Sequence, residues 1–116
     1  ELNQMLRMLP TCESRLPFFF LKPGTEAAVR EYFAQAWPGE FTLITGEEAI
    51  AAQLFGRSPE NPALTDRVGD LVALPHNNAY LWWPNHINMM QGRHGGLSRL
   101  EMLIPIYALP LDELKH

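Results

Sequence analysis

The run Pro17-Phe18-Phe19-Phe20-Leu21, closed by Lys22-Pro23-Gly24, constrains the fold more than any other stretch of this sequence. An extended segment turns successive side chains to opposite faces, so three consecutive phenylalanines leave water only if both faces are covered. Leu16 to Leu21 is therefore predicted to be a buried strand with a layer on each side. A chain of 116 residues, 47% of them apolar, has enough mass for one such core. No linker is long enough to divide it, and residues 1–116 are read as a single domain.

The rest of the chain supplies the layers. Leu2, Met5, Leu6 and Leu9 recur at helical spacing before Pro10, which predicts a short helix stopped by the proline. Thr25 is placed to cap a second helix, whose stripe is Val29, Tyr32, Phe33 and Ala36 and whose end is the Pro38-Gly39 breaker. Phe41 to Thr45 is a short β-rich segment. Thr45 and Glu48 have capping-box spacing for a helix running to Phe55, with Gly56 as its C-terminal cap. Strand, crossover helix and strand predict a parallel β-α-β unit with a right-handed crossover.

Arg57 to Pro62 reads as a loop and Ala63 to Arg67 as a helical turn. Asp70 to Leu74 and Ala79 to Trp83 flank Pro75-His76-Asn77-Asn78, a pattern that predicts a β-hairpin with Trp82 and Trp83 on opposite faces. Pro84 to Ser98 has no apolar period and reads as a loop. Ser98 and Glu101 repeat the capping-box spacing for a last helical turn, and Leu103 to Leu109 forms an apolar, strand-like end. The predicted class is α/β: a small mixed sheet with a parallel β-α-β unit, a β-hairpin and flanking helices.

Charge and composition exclude several functions. The net charge is −4, and no run of Lys or Arg exceeds two residues, so there is no basic footprint for nucleic acid or anionic lipid. No apolar stretch approaches the roughly 18 residues that a membrane span needs. The single cysteine, Cys12, cannot form an internal disulfide and fits a reducing compartment, which gives a cytoplasmic expectation. A start at Glu1 without a signal-peptide pattern suggests a processed product or a piece of a longer chain.

Nucleophilic catalysis finds no support. Cys12 has no histidine beside it and adjoins a hydrophobic strand, so it reads as a buried, inert thiol. Ser14, Ser58 and Ser98 lack a Gly-x-Ser-x-Gly elbow, and Gly92-Arg93-His94-Gly95-Gly96 has neither a P-loop lysine nor a dinucleotide fingerprint. No catalytic residue is expected within the chain.

Metal binding is the remaining chemistry. His76 lies in a turn and His116 at the terminus, and both read as solvent-exposed. A zinc site built from His76, His86 and His94 matches no short-range ligand spacing. His94 differs because Gly92, Gly95 and Gly96 give its backbone the freedom to adopt unusual dihedrals and approach other groups closely. That is how a loop aims one imidazole at a metal.

Gly92, His94, Gly95, Leu97, Ser98, Glu101, Met102, Ile104 and Pro105 stand in the order of a motif that ends certain bacterial hydrolases. The motif is Gly-x-His-Gly-x-Leu-(Ser/Thr), a Glu-Met pair and a Val/Ile-Pro. It resembles the C-terminal segment of the type I phosphodiesterase and nucleotide pyrophosphatase branch of the alkaline phosphatase superfamily. Ser14 to Phe20, Thr45 to Ala49 with Leu54-Phe55-Gly56, and Asp66 to Val72 look like the stretches that precede it, so the resemblance spans roughly Ser14 to Pro110.

The resemblance implies the C-terminal portion of an alkaline-phosphatase-like fold. In that family two divalent ions, typically zinc, sit about 3.5–4 Å apart and clamp the phosphoryl group. It implies one metal ligand here, His94, with the other ligands and the nucleophile in the rest of the parent chain and a phosphoric ester as substrate. Asp66 and Asp70 resemble strand-entry residues and not ligands; Glu101 reads as a cap for the helix after Ser98 ahead of a metal ligand, and Arg93 as a solvated loop charge ahead of a substrate contact. One histidine cannot hold a metal pair, so the chain alone is expected to bind no cofactor and to be inactive. The competing class is a noncatalytic α/β module that docks a partner protein through Trp82 and Trp83.

Overall fold

The computed structural model describes residues 1–57, 61–85, 87 and 89–110. The phenylalanine run becomes strand β2 (Leu16–Phe19), paired with β1 (Thr11–Glu13), while β3 (Phe41–Thr45) pairs with β4 (Leu71–Pro75). The sheet order is β1-β2-β4-β3. Helices α1 (Leu2–Met5), α2 (Glu26–Ala36), α3 (Gly46–Ala51), α4 (Leu64–Val68) and α5 (Arg99–Met102) complete the α/β fold.

Both faces of β2 are covered, as the aromatic run requires. Phe19 joins Leu21, Leu71, Ala73, Val29 and Phe33 of α2, and Leu6 on one side. Phe18 joins Val72, Ala49 of α3 and Val68 of α4 on the other. Removing the wholly buried Phe19 ring from water contributes about 1.5–3 kcal/mol. The first layer is aromatic: Phe33 meets Phe19, Trp37 and Phe41 edge-on at centroid distances of 5.6, 5.0 and 5.5 Å.

The expected parallel unit is corrected in one respect. β2 and β3 run in the same direction and are joined through α2, but β4 lies between them and pairs antiparallel with each. Leu71, Val72 and Ala73 are fully buried, whereas β3 is only partly so. A strand apolar on both faces takes the central position, and the half-buried strand takes the edge.

The same arrangement removes the predicted hairpin. With β2 on one edge of β4 and β3 on the other, Ala79 to Trp83 has no free edge to pair with. The Ala79 N–H turns back to the His76 carbonyl at 3.0 Å, and the Leu81 N–H reaches the Ser14 carbonyl at 2.9 Å. Leu103 to Leu109 forms no strand either and lies exposed, with Ile106 and Tyr107 at 85% and 88%.

Two helix ends also differ from expectation. α1 stops at Met5, well before Pro10, because the next residues pair with the end of β2: Arg7 N–H donates to Phe20 O (2.8 Å) and Lys22 N–H to Met5 O (2.9 Å). Thr25 precedes α2 without capping it, and its hydroxyl donates instead to the Lys22 and Met5 carbonyls. The Thr45–Glu48 capping box forms in full, and α3 ends at Ala51, short of Phe55. Asp70 ties the sheet to its entry strand, its carboxylate accepting the Leu21 N–H at 2.6 Å.

α3 and the end of α4 meet where only backbone fits. A β-carbon on Gly46 would lie 2.2 Å from the Gly69 carbonyl oxygen, and one on Gly69, at φ +73°, would lie 2.8 Å from the Phe19 carbonyl oxygen. Gly46→Ala is therefore expected to destabilise the fold by at least about 2 kcal/mol, because the obstructing atoms are backbone and cannot rotate away. A urea titration measures it. Among the described residues no helix is long and apolar enough to cross a membrane.

Candidate functional site

His94 is exposed on the loop between Leu81 and α5. The two glycines after it are tightly held. Gly95 adopts φ +91°, a conformation that favours glycine, and a β-carbon there would meet the Glu13 side chain at 3.1 Å. Gly96 is buried, and a β-carbon on it would come within 2.7 Å of both Glu101 oxygens and 3.0 Å of Arg15 Nε. Both glycines are thus needed for close approach to the β1–β2 turn, the role their sequence position suggests. Gly92 has open space around it and no such demand.

The clamp behind the loop is a buried ion pair. Arg15, in the turn between β1 and β2, is 5% exposed. Its Nε and Nη2 donate to the two oxygens of Glu101 at 2.9 and 2.5 Å. Its Nη1 donates to the carbonyls of Asn77 and Ala79 at 2.8 and 2.6 Å, fixing the chain that leaves β4. Glu101 also accepts the Gly96 N–H at 3.1 Å and the Ser98 hydroxyl at 2.5 Å. One guanidinium therefore joins the β1–β2 turn, the exit from β4 and the segment after His94.

This corrects the expected capping box. α5 does begin after Ser98, but Ser98 makes no side-chain cap, and Glu101 commits its oxygens to Arg15, Gly96 and the serine hydroxyl. A bidentate, charge-assisted pair with a buried arginine outcompetes a single bond to a helix-start N–H.

The pair carries a pH signature. The Arg15 hydrogen bond, helped by Ser98 and Gly96 and opposed by burial, lowers the Glu101 carboxyl from 4.5 to about 2. A carboxyl depressed in the folded state stabilises it above the unfolded value and ceases to do so below the folded one. The contribution is thus whole above pH 4.5, falls between there and about 2, and is absent below that. Unfolding midpoints measured down this range should fall steeply in the native chain, and Glu101→Gln should flatten that part of the profile.

Beside His94 lies a cavity of about 220 Å³, lined among others by Cys12, Glu13, Trp82, Trp83 and Met90. The two tryptophans, expected on opposite faces of a strand, line this one cavity. Arg93 is not the solvated charge its loop position suggests: its guanidinium carbon sits 4.8 Å from the centre of the Tyr80 ring and 5.5 Å from that of Trp82. Its Nη1 donates to the Gly92 carbonyl at 2.7 Å.

Cys12 is exposed, not buried, in the left-handed region at φ +67° opposite Pro17, which brings no N–H to the ladder. Desolvation nonetheless pushes its thiol pKa up, so it stays protonated at neutral pH and is a poor nucleophile. His76 is exposed as expected, with Nε2 2.8 Å from the Thr42 hydroxyl. His86 and His116 lie outside the described residues, as does Ser58. Among the described residues no group of three His, Cys, Asp or Glu side chains is gathered to hold a metal.

The Arg15–Glu101 pair escaped residue-by-residue reasoning because 86 positions separate its members. No family model, curated protein or solved structure matches the chain.

Proposed function

We propose that this chain is the C-terminal part of a metal-dependent phosphoric-ester hydrolase similar to the type I phosphodiesterases and nucleotide pyrophosphatases of the alkaline phosphatase superfamily. Its contribution to the active site is one metal ligand, the imidazole of His94. The observation that carries this reading is the contrast around that residue: an exposed histidine stands on a loop whose next residue, Gly95, packs against Glu13 and whose second, Gly96, is fixed against the Arg15–Glu101 ion pair. A ligand needs this combination of access and restraint.

The remaining ligands and the nucleophile belong to the rest of the parent chain. The apolar stretch Leu103 to Leu109 supports that division, since Leu103, Ile104, Ile106, Tyr107 and Leu109 are all at least 63% exposed and carry no charge. Such a stretch is suited to burial against another part of a protein. The bound ions, two and typically zinc in the family, would polarise the ester and stabilise its developing charge, while this chain orients one ligand. The single cysteine fits a cytoplasmic setting.

The same exposed stretch favours a second reading, a noncatalytic module that docks another protein. One experiment separates them. The 116-residue chain with zinc is expected to leave a chromogenic phosphodiester uncleaved, and the full reading frame that contains it is expected to cleave it. Turnover by the short chain, or none by the full frame, overturns the hydrolase reading.

A further inference from the structure

We infer that β3 is a self-association edge held closed by Arg30: its outer backbone is complementary to that of a second copy of this chain, and one guanidinium keeps the two apart. The ladder fixes which groups face outward. Bonds to a neighbour alternate along an antiparallel strand, and at the two ends of β3 the His76 N–H donates to the Glu40 carbonyl at 2.8 Å and the Gly46 N–H to the Asp70 carbonyl at 3.0 Å. In the register Phe41↔Pro75 to Thr45↔Leu71, even-numbered residues therefore bond inward to β4. Phe41, Leu43 and Thr45 turn their N–H and C=O groups away from the sheet. β3 is last in the order β1-β2-β4-β3, so no strand among the described residues meets that row.

Two side chains cover it instead. Arg30 of α2 donates from Nη1 to the Leu43 carbonyl at 2.9 Å, and Glu26, one turn earlier, holds the same guanidinium at 2.8 and 2.9 Å. Glu48 of α3 accepts the Thr45 N–H at 2.7 Å. An exposed Glu–Arg pair at this spacing adds little stability, and its consequence lies in the carbonyl it covers.

The covered row is self-complementary about Leu43. Two antiparallel copies related by a two-fold axis set Leu43 opposite Leu43 and Phe41 opposite Thr45. Each Leu43 N–H then donates to the other Leu43 carbonyl, the acceptor that Arg30 occupies. The strand itself, Phe-Thr-Leu-Ile-Thr, carries no charge and no proline to discourage such pairing. Native edges usually need a device of that kind, and here it comes from the neighbouring helix.

Sedimentation velocity on the 116-residue chain compares the native protein with Glu26→Gln/Arg30→Met, which removes the guanidinium, keeps an apolar stem beside the strand and leaves the net charge unchanged. The native chain should stay monomeric, and the variant should dimerise at least about tenfold more tightly. Hydrogen exchange locates the contact. The Leu43 N–H should exchange at least about tenfold more slowly in the variant than in the native chain, with the inward Ile44 N–H as reference. Adding Leu43→Pro deletes an outward N–H and no bond to β4, so it should return the variant to a monomer.

A variant as monomeric as the native chain, a variant dimer whose Leu43 N–H is unprotected, or a native chain already dimeric through β3 overturns the inference. None of these readouts involves metal or turnover, so the outcome is independent of the hydrolase reading.

Discussion

Glu101→Ala is expected to destabilise the chain by about 3–5 kcal/mol, among the largest effects of any single substitution here. The loss comes less from the attraction removed than from what remains. Arg15 is 5% exposed, and without the carboxylate its Nε and Nη2 lose their partners inside the protein. Gly96 N–H and the Ser98 hydroxyl lose theirs at the same time. A buried, uncompensated charge is costlier than no pair at all. Arg15→Met with Glu101→Leu should consequently recover much of the loss, leaving a coupling energy well above that of an exposed pair.

Arg7–Asp70 supplies the contrast. Its side chains are 56% and 46% exposed, and Arg7→Ala should cost less than about 1 kcal/mol. If the two arginines prove equivalent in urea titrations, Arg15 is not the tie between the turn, the exit from β4 and the His94 loop.

How much of the fold was legible in the sequence depended on the range of the interaction involved. Local patterns were reliable: the Phe18-Phe19-Phe20 run as a strand covered on both faces, the Val29–Phe33 stripe as a helix, and Thr45–Glu48 as a capping box all appear in the fold. Each depends on residues a few positions apart. Pairing partners were not legible, because periodicity states that a segment is extended but not which edge it meets. Inserting β4 between β2 and β3 turned an expected parallel pair into an antiparallel sheet and left Ala79 to Trp83 without a partner strand.

The site obeyed the same rule. Gly95 and Gly96 were recognisable as positions of close approach, while Glu13 and Arg15, which they approach, come from across the sequence. Ser98 and Glu101 have the spacing of a cap, but a buried guanidinium 86 residues away claims the carboxylate. Arg93 reads as a loop charge until Tyr80 and Trp82 fold beneath it.

His94→Ala is the second large effect, and it falls on function instead of stability. The imidazole is exposed, so its removal should leave the stability of the 116-residue chain within about 0.5 kcal/mol of the native value. In the full reading frame the expected result is loss of bound metal and a fall in turnover of at least about 100-fold. Residues that merely support a metal ligand are already worth about 10–100-fold, and His94 is proposed as a ligand itself.

The direct measurement is metal content by elemental analysis and phosphodiester turnover, made on the full-frame protein with and without His94→Ala at matched folding. Metal loss accompanied by that fall in turnover is the predicted result. Unchanged metal content and unchanged turnover would contradict the assignment of His94 and, with it, the reading of this chain as the metal-ligating end of a hydrolase.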